Sequence, residues 1–109
     1  MRKLYTIDEQ FIKEVCDIDV PYLFSGIVVN EYYREYMLNG LWHRDNDLPA
    51  VVYNNNEANW WYHFGKQHRL NGPAVERLNG NNEYWIYNRF VTKEEHNLLR
   101  DIMKLKGLL

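Results

Sequence analysis

GLWHRDNDLPAVVYNNN, residues 40–56, is answered by GKQHRLNGPAVERLNG, residues 65–80. Gly40, His43 and Arg44 recur 25 residues later as Gly65, His68 and Arg69, while Pro49 and Ala50 recur 24 later as Pro73 and Ala74. The first copy carries one extra residue between His-Arg and Pro-Ala. An aromatic upstream of each glycine position keeps the same beat: Tyr36, Trp61, Trp85. Working outward, GIVVNEYYREYMLNG (26–40) matches the half-unit that starts at Pro49, with two residues fewer in its turn. EYWIYNRFVT (83–92) matches the other half, with Arg89 where glycine stood and Val91-Thr92 where His-Arg stood. Self-similarity at a fixed period of about 24 residues marks a repeat architecture.

Each unit reads as strand, turn, strand. A short apolar run (Ile27-Val28-Val29, Ala50-Val51-Val52-Tyr53 or Ala74-Val75) leads through an asparagine-rich turn to an aromatic run such as Trp60-Trp61-Tyr62. Asparagine and glycine tolerate the positive φ of tight hairpin turns, and most of the thirteen asparagines fall at such places. Proline lacks an N–H and suits the first residue of a strand, so the glycine-to-proline segments are turns between hairpins. Three hairpins are expected near 26–40, 49–65 and 73–89, forming an antiparallel meander of about six strands.

Helices are expected at both ends. Thr6 precedes Glu9, and Thr92 precedes Glu95, by the three residues that let two side chains cap a first turn reciprocally. Ile7, Phe11, Val15 and Ile18 then share a helical face that Pro21 ends, and Leu98, Leu99, Ile102, Met103 and Leu105 form a second stripe. The spacing predicts helices over 7–18 and 93–106, each capping an end of the repeat sheet. The fold class is thus α+β in one domain over 1–109: a helical cap (1–24), β-hairpin repeats (25–92) and a second helical cap (93–109).

Tryptophan, glycine, His-Arg and then Gly-Pro-Ala or Leu-Pro-Ala together resemble a β-hairpin repeat common in phages and large DNA viruses, loosely similar to the MORN repeat. The resemblance covers residues 25–92. It implies a MORN-like hairpin fold and a viral origin, and assigns no catalytic residue.

Composition narrows the function. Hydrophobic residues make up 46% and charged residues 26% of 109, as in an ordinary folded domain. The net charge of −2 divides into −2 over 1–30, −1 over 31–91 and +1 over 92–109, which provides no basic block for a phosphate backbone. No apolar run is long enough to cross a bilayer and no signal-peptide core follows the N-terminus, so no membrane is expected and the location is read as cytoplasmic. In a phage-encoded chain this is the host cytoplasm. Cys16 is the only cysteine, which excludes an intrachain disulfide and a thiolate zinc site. With one serine, one cysteine and two threonines, covalent catalysis has few candidates, and no phosphate loop, nucleophile elbow or zinc-protease motif is present. The chain is read as a non-enzyme without metal or cofactor.

The residues that invite a site each have a structural role to weigh. His43 and His68 occupy equivalent positions two strands apart, roughly twice the ~4.8 Å strand spacing, which is too far to share one ion. They are read as repeat histidines, with Arg44 and Arg69 bonded to turn carbonyls or paired with Asp45 and Asp47. Cys16 beside an apolar helical face reads as a buried thiol, and Glu31, Glu35, Glu57, Glu76 and Glu83 as solvated strand and turn charges. The aromatics, 16% of the chain, alternate faces along the strands and oversupply a single core. The surplus points to a partner surface of Trp42, Trp60, Tyr62 and Tyr84, with Arg34 and Arg77 at its rim. The expected function is a non-enzymatic protein-binding module, in a viral setting one that inhibits a host factor of antiviral defence. The alternative, a single-strand nucleic-acid binder that stacks bases between arginines, is opposed by the charge of the repeats.

Overall fold

The computed structural model describes residues 1–16 and 19–108. Among these residues the elements are β1 (Arg2–Tyr5), β2 (Phe11–Val15), β3 (Gly26–Val29), β4 (Tyr33–Leu38), β5 (Leu41–Trp42), β6 (Val51–Tyr53), β7 (Ala58–Trp60), β8 (Tyr62–His63), β9 (Lys66–Gln67), β10 (Val75–Arg77), β11 (Tyr84–Ile86), β12 (Arg89–Val91) and the helix α1 (Lys93–Leu105). An antiparallel sheet runs in the order β10-β7-β6-β4-β3-β1-β2, with β5 beside β4, and β8-β9 and β11-β12 form separate two-stranded ribbons. From β3 to β10 the path is a meander. Within each unit the apolar run pairs with the aromatic run, Ile27 opposite Tyr36 and Val51 opposite Trp60.

Beyond the expected hairpins, each unit carries a short arm. The arms turn at Asn39-Gly40 (φ 49° and 78°), Phe64-Gly65 (46° and 80°) and Tyr87-Asn88 (44° and 66°). Positive φ at both central residues is the two-residue turn whose twist matches that of paired strands. Each turn donates to the chain segment before it: Gly40 N–H to the Phe24 carbonyl (3.0 Å), Gly65 to Trp42 (2.8 Å) and Asn88 to Gln67 (2.9 Å). The recurring glycine is therefore the stacking point between arms.

These bonds also correct the alignment of the third unit. Asn88 stands where Gly65 stands, Val75 bridges Glu83 as Val51 faces Trp60, and Tyr84 faces Val91. Tyr84, not Trp85, is therefore the counterpart of Tyr36 and Trp61. The turn of residues 79–82 is one residue shorter than its equivalent, which moved the aromatic beat by one.

The expected N-terminal helix is not there; residues 2–15 form the hairpin β1-β2. Glu9 sits at φ 70°, outside the helical region. Thr6 closes a turn instead, its N–H donating to the Gln10 carbonyl (2.8 Å) and its Oγ1 accepting from Gln10 N–H (2.9 Å). The decisive gain is tertiary. β1 pairs with the free edge of β3, Leu4 opposite Val28, and Leu4, Val15 and Val28 pack together with at most 8% of each exposed. Ile7 and Phe11, read as the buried helical face, are exposed, and Ile18 lies outside the described residues. At the other end Thr92 and Glu95 do form the reciprocal cap and α1 follows. Among the described residues no helix is long and apolar enough to cross a membrane.

Candidate functional site

The His-Arg pairs belong to the architecture. Arg44 lies 3.7 Å over the Tyr36 ring and Arg69 3.8 Å over that of Trp61. Each donates through Nη1 at 3.2 Å to the carbonyl of the proline that opens the next strand, Pro49 or Pro73. His43 stacks on Phe64 and accepts its N–H at Nδ1 (3.1 Å); His68 does the same with Tyr87 (3.1 Å). Each histidine thus holds the turn of the following arm. Among the described residues no group of three or more His, Cys, Asp or Glu is arranged to hold a metal ion. The hydroxyl of Ser25 is engaged by Asn39, whose N–H donates to it at 2.8 Å. Cys16 is exposed, contrary to the buried thiol expected.

A different set of side chains opens to solvent. By strand alternation Tyr33, Tyr53, Trp60 and Arg77 share one sheet face with the buried Ala58, since Tyr33 faces Tyr53 and Ala58 faces Arg77 across the strands. Their rings form a ladder, with Tyr33 and Tyr53 centred 5.2 Å apart and Tyr53 and Trp60 5.7 Å apart. Two adjoining clefts open on it. One, of about 490 Å³, is lined by Tyr53, Glu57, Trp60, Arg77 and Leu78; the other, of about 380 Å³, by Glu31, Tyr32, Tyr33, Tyr53 and Glu57. They share Tyr53 and Glu57 and make one groove.

The groove is negative. Arg77 is bound to Glu83 and to the Asn81 carbonyl. Partial burial opposes ionisation of Glu83, but hydrogen bonds from Arg77 and Trp85 hold its carboxyl below the ordinary range. With Arg77 neutralised, Glu31 and Glu57 remain. The Tyr53 phenol is pushed above its usual range first by burial and then by Tyr33, Glu35 and Glu57, which outweigh Arg77.

Of the six residues proposed from sequence as the partner surface, the fold brings only Trp60 and Arg77 to this groove. Trp42 packs edge-on to Tyr62 (4.8 Å) and donates its indole N–H to Glu35 at 2.9 Å. Glu35 is itself buried at 6% exposure, not solvated, with Arg2 3.9 Å away. Tyr84 lies against His96 of α1, and Arg34 projects from the opposite sheet face to Glu9 (3.3 Å). Glu31 and Glu57, read only as solvated charges, line the groove, and Tyr33 and Tyr53 were not singled out, although they alternate in step with the apolar face, a signal already in the strand pattern. A larger hollow of about 750 Å³ between the N-terminal turn and the loop after His43 is lined by Ile7, Asp8, Glu9, Arg44 and Asp45. Its rings are Tyr36, which Arg44 already covers, and His43, which is stacked on Phe64. No family model, no curated protein and no solved structure matches this chain.

Proposed function

We propose that this chain is a non-enzymatic protein-binding module, and that the groove of Tyr33, Tyr53, Trp60 and Glu57 is its docking surface. The carrying observation is the ring ladder, open along two joined clefts and bordered by the carboxylates of Glu31 and Glu57. Aromatic residues in a cleft are the usual anchors of a protein interface. A rim of Glu31 and Glu57 favours a segment that brings apolar and basic side chains, and it repels a phosphate backbone. The resemblance to viral repeats adds the proposal that the partner is a host protein, inhibited by being bound.

Affinity capture with the intact chain and with the Tyr53→Ala/Trp60→Ala variant tests this reading. A protein recovered by the first and lost with the folded second supports it. Recovery of nucleic acid, or of the same proteins by both, overturns it.

A further inference from the structure

The helix α1 meets the repeats on one side alone. His96 is fully buried, its Nε2 donates to the Arg69 carbonyl at 2.6 Å, and its ring lies 5.0 Å from that of Tyr84. On the far side Leu98, Ile102 and Leu105 are 61%, 38% and 88% exposed. Steps of four and three residues put them on one helical stripe. Helices of this length gain most of their stability by burying such a stripe, and this one has nothing over it among the described residues.

Charge is divided along the same helix. Glu94 and Glu95 lie in its first turn, Lys104 in its last, and Lys106 at the C-cap. Glu95 and Lys106 are eleven residues apart, close to three full turns, and so flank the stripe on the same side.

We propose that α1 pairs antiparallel with α1 of a second copy of this chain. In that arrangement Leu98, Ile102 and Leu105 of the two copies cover one another. The flank that carries them meets itself reversed, so that Glu95 of one copy faces Lys106 of the other, while on the other flank Asp101 meets its own copy and subtracts from the attraction. The helix dipoles also oppose, whereas a parallel pair would bring like ends together. Three large side chains per copy bury well under the about 1,000 Å² of a stable interface, so the dimer is weak and dissociates on dilution. This pairing uses a surface apart from the aromatic groove and does not depend on it.

Sedimentation velocity of the full chain over a dilution series is the test, with circular dichroism as the control for folding. A monomer–dimer equilibrium is expected. Ile102→Glu, at an exposed position, abolishes the dimer. Glu95→Gln, whose side-chain carbonyl keeps the cap with Thr92, and Lys106→Gln each weaken it about threefold, the scale of two exposed ion pairs removed. The two together weaken it no further than either alone, because each already removes the same pairs. A monomer at every concentration overturns the proposal, as does a dimer indifferent to Ile102→Glu or a double variant whose loss is the sum of the single ones. A chain that stays monomeric but sediments with anionic phospholipid vesicles overturns it too, since the stripe then serves a lipid surface.

Discussion

The first two repeats build one device from different surroundings. Arg44 over Tyr36 and Arg69 over Trp61 differ by 0.1 Å in height and share the same proline-carbonyl bond. Around this common core the second unit adds ligands. Arg69 donates through Nε to Asp47 (3.0 Å) and through Nη1 to Glu76 (2.6 Å). Asp47 belongs to the longer first loop, so the extra residue there supplies the acid that ties unit one to unit two. The Trp61 indole N–H donates into the same loop, to the Asp47 carbonyl at 3.0 Å. The histidines diverge in the other direction. His43 has Asp45 at 2.8 Å from Nε2, whereas His68 faces His63 and His96. A repeat thus preserves contacts made within its own unit, and its strength depends on what neighbouring units add.

Truncating the aromatic centre of the stronger unit should have the largest effect. Trp61→Ala is expected to cost about 3–5 kcal/mol, as for a buried large aromatic. Trp60→Ala should cost about half that, because Trp60 is only half-buried and its indole N–H is unpaired among the described residues, so truncation also removes an orphan donor. Chemical denaturation of both variants measures the difference, and equal losses would remove the distinction between the packed and open faces.

The arginines come next. Arg69→Ala should destabilise by about 2 kcal/mol and Arg44→Ala by about 1, reflecting the charged partners that, among the described residues, Arg69 has and Arg44 lacks. Burial opposes the charge on Arg69, yet hydrogen bonds and attraction from Asp47 and Glu76 raise its pKa further. Salt should narrow the gap, since those carboxylates are partly exposed. Thermal melts at low and high ionic strength read both effects. An Arg44 loss equal to that of Arg69 would mean that stacking and the proline bond account for everything.

The effect that vanishes at neutral pH, and is smallest there, is a pH dependence centred on unit two. Burial first, and then His63 and His96, depress His68 from 6.5 to about 4. Its Nδ1 must also stay unprotonated to accept the Tyr87 N–H. Between those values the unfolded chain binds the proton that the folded chain refuses, so the stabilising contribution is intact above pH 6.5 and is lost as pH falls toward 4. The melting temperature should fall over that window in the parent and fall less in His68→Gln, whose side-chain carbonyl can still accept. Identical slopes would place the acid sensitivity elsewhere.

The two threonine signals show what local chemistry settles. Thr92 and Glu95 cap a helix as their spacing says, and His96 in its first turn then lies against Tyr84, in the place that an arginine takes over Tyr36 and Trp61. Thr6 and Glu9 have the same spacing, yet there the open edge of β3 takes a strand, because Leu4 and Val15 gain more by joining Val28 than a surface helix would gain from its cap. The repeat period, the strand pairings within units and the glycine turns were all carried by residues near one another in the chain. The open groove was not. Trp60 and Arg77 were readable as aromatic and cation, but their meeting with Tyr33 and Tyr53 depends on which strands become neighbours and which rings the arms then cover. Residue type and local spacing determined the repeats and the C-terminal cap. Competition for the β3 edge, the one-residue shift of the third unit and the sign of charge in the groove were decided only in three dimensions, where segments far apart in sequence share the same buried surface.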